Sequence, residues 1–256
     1  MKLSLITICY NSENTILKTL DSVHSQTYKN IEYIIIDGLS KDNTNKIIRS
    51  HEVNVDVHIS EQDDGIFDAY NKGILHATGD VIGFINSDDF FYDTNSICKV
   101  MHQFENEKSL DVVFGNILLL KDDNKESIFR KWRSGPFKRY KIFLGWMPPH
   151  PGFYIKKDKI DSLGFDKSYK IAGDYDFMIR HLLKIDENKV KNINEFITCQ
   201  LIGGVSTTLS FNAILRKFKE DIKSMKSNRI FYPLAIMGKI LGKVNQFFYK
   251  NDEGTI

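Results

Sequence analysis

Two kinds of apolar pattern alternate along the first ninety residues. Near-continuous apolar runs occur at residues 3–9, 31–36 and 81–85, with a third, shorter strand-like segment at 55–59. Between them apolar positions recur at helical spacing: Ile16, Leu17, Leu20 and Val23, then Ile47 and Ile48, then the stretch 66–76. Unbroken runs bounded by polar turns predict strands buried on both faces, and their alternation with helices predicts a mostly parallel sheet flanked by helices, an α/β fold. Asn11 or Ser12 stands where a helix cap belongs, and Asp42-Asn43-Thr44 opens the second helix.

Beyond Asp89 the pattern changes. A helix through Val100 and Phe104 leads to a strand over 111–120 and a polar hairpin turn at 121–126. A basic, aromatic segment follows at 129–141, with Arg130, Lys131, Arg133, Lys138, Arg139 and Lys141. Pro148, Pro149 and Pro151 flank His150 and predict an ordered, non-helical loop before a short strand at 152–155. Residues 172–183 read as an amphipathic helix with Asp174 in its first turn, and 196–205 as a strand ending in Gly-Gly. From Ala213 onward the chain reads as helical and basic.

Three of the early strands end in polar clusters: Tyr10-Asn11, Asp37-Gly38 and Ser87-Asp88-Asp89. Open α/β sheets bind ligands at the carboxyl ends of their strands, where strand order reverses, so these clusters are expected to face one crevice. Asp88 and Asp89 suit a hard divalent cation, Mn²⁺ or Mg²⁺, which takes one or two carboxylates and completes its shell with water and phosphate oxygens. A polar turn is the other reading of the same residues.

Composition narrows the class only modestly. The 256 residues are 42% hydrophobic and 27% charged, ordinary for a chain with a real core. A net charge of +2, with no nucleic-acid motif, argues against nucleic acid as a partner. Cys9, Cys98 and Cys199 are far apart and lack metal-ligand spacing, which favours a reducing cytoplasm over a disulfide framework. The N-terminus lacks a signal-peptide pattern, and no stretch offers the ~18 apolar residues of a membrane span.

Several motifs in consistent order carry a family resemblance: SLITICYN (4–11), YIIIDGLSKDNT (33–44), SEQDDGIFDAYNKG (60–73), GDVIGFINSDD (79–89), HPGFY (150–154) and AGDYD (172–176). The sequence resembles the family 2 inverting glycosyltransferases of the GT-A fold, over residues 3–208. The resemblance implies a catalytic domain over 1–208, with a nucleotide-sugar-binding half (1–90) and an acceptor-binding half (91–208), followed by a basic helical tail (209–256). It places the backbone around Thr7 and Tyr10, with Asp37, against the nucleobase and ribose, with Asp37 accepting a uracil N–H. Asp64, Asn71 and Lys72 would border the nucleotide and its diphosphate. Asp88 and Asp89 match the metal-binding DxD-like motif, Asp89 being the direct ligand and His150 a third ligand or diphosphate contact. Asn86 stands at the motif's first position, where Asp is usual. Asp174 matches the catalytic base and Asp176 is the runner-up.

The implied activity is metal-dependent transfer of a hexose, glucose from UDP-glucose first, forming a β linkage. The acceptor would be an undecaprenyl-diphosphate-linked saccharide in bacterial O-antigen or capsule biosynthesis. The tail mixes Arg216, Lys217, Lys219, Lys223, Lys226, Arg229, Lys239, Lys243 and Lys250 with apolar residues such as Phe231, Leu234 and Ile240. That composition suits an anionic membrane surface, so a cytoplasmic protein peripheral on the inner face of the cell membrane is expected. The basic segment at 130–141 would meet an acceptor diphosphate by the same logic. Two other readings are a non-catalytic nucleotide-sugar-binding scaffold and an aspartyl phosphatase. The first is disfavoured by the intact carboxylates. The second requires a DxD motif after the first strand, where this chain has Cys-Tyr-Asn-Ser.

Overall fold

The computed structural model describes residues 1–122, 124–202 and 211–248. Strands β1 (Leu3–Cys9), β2 (Ile31–Asp37), β3 (Val57–Ser60) and β4 (Val81–Phe84) alternate with helices α1 (Ile16–His24), α2 (Thr44–Ser50) and α3 (Ile66–His76). These four strands are parallel, in the order β3-β2-β1-β4. Every residue of β1 is buried, as its unbroken apolar run requires of a central strand covered on both faces. Strand order reverses between β2 and β4, on either side of β1, and such a reversal sets the expected ligand crevice at the carboxyl ends of these three strands.

The second half adds β5 (Asp89–Phe91), α4 (Ser96–Asn106), β6 (Val112–Leu120), β7 (Ile128–Trp132), α5 (Arg139–Ile142), β8 (Phe153–Lys156), α6 (Gly173–Leu182), β9 (Val190–Leu201), α7 (Phe211–Ser227) and α8 (Tyr232–Phe248). The whole sheet runs β3-β2-β1-β4-β8-β6-β9-β5, with β7 paired to β6. Here the pairings β4–β8, β6–β8, β6–β7 and β5–β9 are antiparallel, and only β6–β9 is parallel. The first four strands thus form the expected parallel sheet, and the second half makes the whole sheet mixed. Short connections such as the β6–β7 hairpin permit antiparallel neighbours, whereas a parallel pair needs a long crossover.

Two apolar layers sandwich the sheet. On one face α1, α2 and α4 cover Leu5, Tyr33 and Val113 with Leu20, Ile48 and Phe104. On the other, α3 and α6 cover Ile34, Phe84 and Phe114 with Phe67, Phe177 and Met178. Met225, Ile230 and Ala235 belong to this second layer, so α7 and α8 extend the core instead of trailing from it. The expected strand past Leu201 and the expected tail residue Lys250 lie outside the described residues, as does the boundary at 208. At the end of the sheet away from the crevice, the buried Glu32 accepts Lys2 Nζ at 2.7 Å and Thr78 N–H at 2.7 Å, with Ser4 and Thr78 hydroxyls also bonded to it.

One expected face is turned. In α1 the buried residues are Ile16, Thr19, Leu20 and Val23, while Leu17 is 51% exposed. Thr19 takes the inward position because its hydroxyl donates to the Asp89 carbonyl at 2.7 Å, which ties α1 to the exit of β4. Neither Asn11 nor Ser12 caps α1 by its side chain; the Ser12 carbonyl receives the N–H groups of Thr15 and Ile16.

Candidate functional site

The loops leaving β1 and β4 are joined by a hydrogen bond between Ser12 Oγ and Ser87 Oγ at 2.9 Å. The loop leaving β2 is organised by Asp37. Its Oδ2 accepts Ser40 N–H at 3.0 Å, Asn45 Nδ2 at 2.7 Å and Ser60 Oγ at 2.6 Å, and its Oδ1 accepts the Ser40 hydroxyl. Burial alone would raise this carboxyl, but the hydrogen bonds from Ser40, Ser60 and Asn45 outweigh it and hold Asp37 below its ordinary value. Asp37 is fully buried and shapes the loop, with three hydrogen bonds on Oδ2 and the Ser40 hydroxyl on Oδ1.

At this end of the crevice Tyr10 is 59% exposed and lies against Gly38. A Cβ at Gly38 would sit 2.9 Å from Asp63 Oδ2, so glycine there lets the Asp63 carboxylate approach the β2 exit. The crevice thus receives Asp63 rather than the expected Asp64, which faces solvent and pairs with Lys167 at 3.4 Å. Lys72 is held by Asp63 at 2.7 Å and Glu61 at 2.8 Å. Asn71 spends its amide on Phe165, donating to its carbonyl and accepting its N–H, both at 2.8 Å. Thr7 is fully buried and its hydroxyl bonds Tyr33 at 3.0 Å, so its side chain belongs to the sheet and not to the crevice.

Tyr70 of α3 reaches the β4 exit, where its hydroxyl meets Asn86. Burial lifts the Tyr70 phenol well above its ordinary range, and the charges of Asp89, Asp174 and Asp88 add to that lift. Asp89 is fully buried; Asn86 Nδ2 donates to its Oδ2 at 2.9 Å, and its Oδ1 has no hydrogen-bond partner among the described residues. The Tyr70 hydroxyl in turn donates to Asn86 Oδ1. Burial, reinforced by the charge of Asp88, raises the Asp89 carboxyl well above 3.8, and burial raises Asp88 as well.

Asp174 arrives from the opposite half of the chain, in the first turn of α6. Gly173 permits this, because a Cβ there would lie 2.7 Å from the Phe67 ring, one turn before Tyr70. Asp174 Oδ1 accepts the Tyr175 N–H at 2.8 Å. Asp176, by contrast, points into the protein, where it accepts from Ser224 at 2.9 Å, Asn228 at 3.2 Å, Tyr169 at 3.3 Å and Arg180 at 3.3 Å. It is built as a structural carboxylate.

His150 is stacked on Phe84 (ring centroids 5.1 Å apart) and edge-on to Tyr70 (5.3 Å). Burial lowers its pKa against the pull of Asp174, so the ring is neutral, and Nε2 has no partner among the described residues. Among the described residues no three His, Cys, Asp or Glu side chains gather into a metal cage. Two carboxylates suffice for Mg²⁺ or Mn²⁺ shared with a diphosphate, and the buried, unpartnered Asp89 Oδ1 with two carboxyls held above their ordinary range fits such a cation.

Residues of the basic segment at 130–141 make separate contacts. Arg130 and Lys131 lie in β7, Arg133 packs over Phe196 at 4.7 Å, and Arg139 donates to the Ile185 carbonyl at 2.8 Å. Tyr70 and Asp63 were not singled out in the sequence. Both lie in the stretch 60–73, where only the packing separates them from core and turn residues.

Comparison with known proteins follows from this geometry. A family model described as glycosyl transferase family 2 matches residues 4–160. An uncharacterized glycosyltransferase of Mycobacterium tuberculosis is 29% identical over 183 residues, 70% of this chain and 68% of the relative. Among solved structures, residues 1–349 of S. aureus TarS in complex with UDP-GlcNAc superpose with a TM-score of 0.71 at 17% identity, covering 99% of this chain and 77% of that fragment. A mannosyltransferase from Pyrobaculum calidifontis in complex with GDP-Man and Mn²⁺ gives a TM-score of 0.62 at 15% identity, over 100% of this chain and 76% of the other.

Proposed function

The chain belongs to glycosyl transferase family 2 and is a glycosyltransferase of the GT-A fold; on that premise we propose that it transfers a hexose, with inversion, from a nucleotide-diphosphate sugar held beside Asp88 and Asp89. The Tyr70–Asn86–Asp89 hydrogen-bond relay, which leaves the buried Asp89 Oδ1 without a partner beside Asp88, carries this reading. Asp89, through its unpartnered Oδ1, and Asp88 hold Mn²⁺ or Mg²⁺. When bound, the cation supplies Lewis-acid neutralisation of the diphosphate leaving group. Asp174 receives the proton of the acceptor hydroxyl, on the oxygen that the Tyr175 N–H does not occupy. Tyr10 stacks on the base, and Asp63, brought beside Gly38 at the β2 exit, joins Asp37 as a partner for a uracil N–H.

The donor we assign first is UDP-glucose, giving a β linkage, and the acceptor a polyprenyl-diphosphate-linked saccharide of O-antigen or capsule type. The TarS complex holds a UDP-sugar, which supports the nucleotide. A peripheral position on the inner membrane face is supported by α8. Leu234, Met237, Ile240 and Leu241 are exposed along it, with Phe231 just before, and no acidic residue occurs between Asp221 and Asp252. Among the described residues no helix is long and apolar enough to cross a membrane.

The test is nucleotide release from UDP-glucose, UDP-galactose, UDP-GlcNAc and GDP-mannose, with a diphospholipid-linked saccharide as acceptor. Divalent-cation-dependent UDP release that Asp174→Asn abolishes is expected. GDP release from GDP-mannose would keep the class and change the donor; no release from any sugar would contradict the reading.

A further inference from the structure

Helix α7 lies beyond the segment matched by the family model, yet it grips the chain immediately ahead of Asp174. Glu220 accepts the N–H groups of three consecutive residues: Lys170 at 3.0 Å, Ile171 at 2.8 Å and Ala172 at 2.8 Å. Ala172 occupies the capping position of α6 and has no side-chain acceptor with which to cap it. A carboxylate borrowed from α7 therefore sits at the helix start, where the dipole favours negative charge.

The end of this helix and the residue after it hold α6 a second time, further on. Ser224 and Asn228 donate to Asp176 at 2.9 and 3.2 Å, and Asp221 pairs with Lys239 of α8 at 2.8 Å. The two grips differ in what they reach. Ser224 and Asn228 meet a buried side chain on the far side of α6. Glu220 meets the backbone that leads directly into Asp174.

We infer that Glu220 is a positioning residue for Asp174, fixing through 170–172 the place of the carboxylate that faces the acceptor hydroxyl. The inference rests on the reading of Asp174 as the base. Proton transfer requires hydrogen-bond reach, and a displacement of about 1 Å at a reacting group costs about a hundredfold in rate. The rest of the segment is anchored independently, by the Asn71–Phe165 pair and by Lys167 on Asp68 at 2.9 Å. Loss of Glu220 therefore loosens the start of α6 while leaving the surrounding loop in place.

The experiment compares wild type with Glu220→Ala, Glu220→Gln, Ser224→Ala and Asp174→Asn. It measures UDP release from UDP-glucose with the lipid-linked acceptor, Mn²⁺-dependent UDP binding, melting temperature and amide hydrogen exchange at 170–172. Glu220→Ala is expected to lower kcat by about ten- to a hundredfold, with donor KM and UDP binding unchanged and exchange protection at 170–172 lost. Glu220→Gln, which keeps one acceptor oxygen, recovers part of both kcat and protection. Ser224→Ala lowers the melting temperature without that loss of kcat. Wild-type kcat in Glu220→Ala, beside an inactive Asp174→Asn, would overturn the inference. So would an equal kcat loss in Ser224→Ala at an equal loss of melting temperature. Activity retained by Asp174→Asn would instead refute the base assignment on which the inference stands. Should Glu220→Ala not fold, Glu220→Gln decides: kcat and protection falling together support the inference, and protection lost at full kcat overturns it.

Discussion

Asn86 Nδ2 donates to Asp89 Oδ2 at 2.9 Å, and the Tyr70 hydroxyl donates to the other end of the same amide. This relay accounts for asparagine at the first position of the motif. A carboxylate in its place would put a third negative charge beside Asp88 and Asp89 and remove the donor that fixes Asp89. With the amide present, one Asp89 oxygen is held and the other is left without a partner.

Asn86→Asp is expected to destabilise the metal-free protein by about 1–3 kcal/mol, because it strips a buried carboxylate of its donor. Mn²⁺ should then raise the melting temperature by more than it does in wild type. An unchanged metal-free melting temperature would show that Asp89 does not depend on the amide.

The raised pKa of Asp89 sets a pH dependence with a definite sign. The folded carboxyl keeps its proton above 3.8, the ordinary value at which the unfolded one releases it. The folded state then binds more protons than the unfolded state, so stability falls as pH rises from about 4 toward the folded pKa. Asp89→Asn should remove this slope and melt higher than metal-free wild type near neutral pH. Parallel pH–melting curves for the two proteins would contradict it.

Asp174 and Asp176 lie two residues apart and should separate cleanly. Asp174→Asn is expected to lower kcat by about 10²–10⁴ with UDP binding and melting temperature nearly unchanged. Asp176→Asn weakens the contacts to Ser224, Asn228, Tyr169 and Arg180, and should cost about 1–3 kcal/mol of stability. Kinetic constants and thermal melts on both variants decide, and a reversed pattern would exchange the roles.

Glu32 predicts a second, opposite pH effect. Burial opposes its ionisation, but hydrogen bonds from Lys2, Ser4 and Thr78 prevail and lower its pKa from 4.5 to about 2. Its contribution to stability is present above 4.5 and is lost as pH falls toward about 2. Glu32→Gln should flatten the acid limb of the melting curve in that window.

Nucleotide recognition can be tested at Tyr10 and Asp63. Tyr10→Ala is expected to weaken UDP binding by about 1–3 kcal/mol through lost stacking, with stability unchanged because the side chain is largely exposed. Asp63→Ala should weaken UDP binding while Asp64→Ala leaves it intact; titration calorimetry on the pair checks the assignment.

Much of the first half was legible in the sequence. The unbroken run of β1 and the helical spacing of α3 matched the observed Leu3–Cys9 and Ile66–His76, because local pattern and tertiary burial agree there. Leu17 was misplaced because helical periodicity cannot see that Thr19 must turn inward to reach Asp89. β5 was missed because three residues carry no period, and its partner β9 lies far along the chain. Asp63 and Asp64 are neighbours before Gly65, and only the glycine at 38 shows which carboxylate the crevice admits. Glu220 lies 48 to 50 residues from the amides it holds, beyond any local signal.

The most direct measurement is calorimetric binding of UDP and GDP, each with and without Mn²⁺, to wild type and Asp89→Ala. Mn²⁺-dependent binding of UDP that the substitution abolishes is the predicted result. Binding of UDP that is indifferent to both Mn²⁺ and Asp89, or no binding of either nucleotide, would contradict a cation-bridged donor site at Asp88 and Asp89.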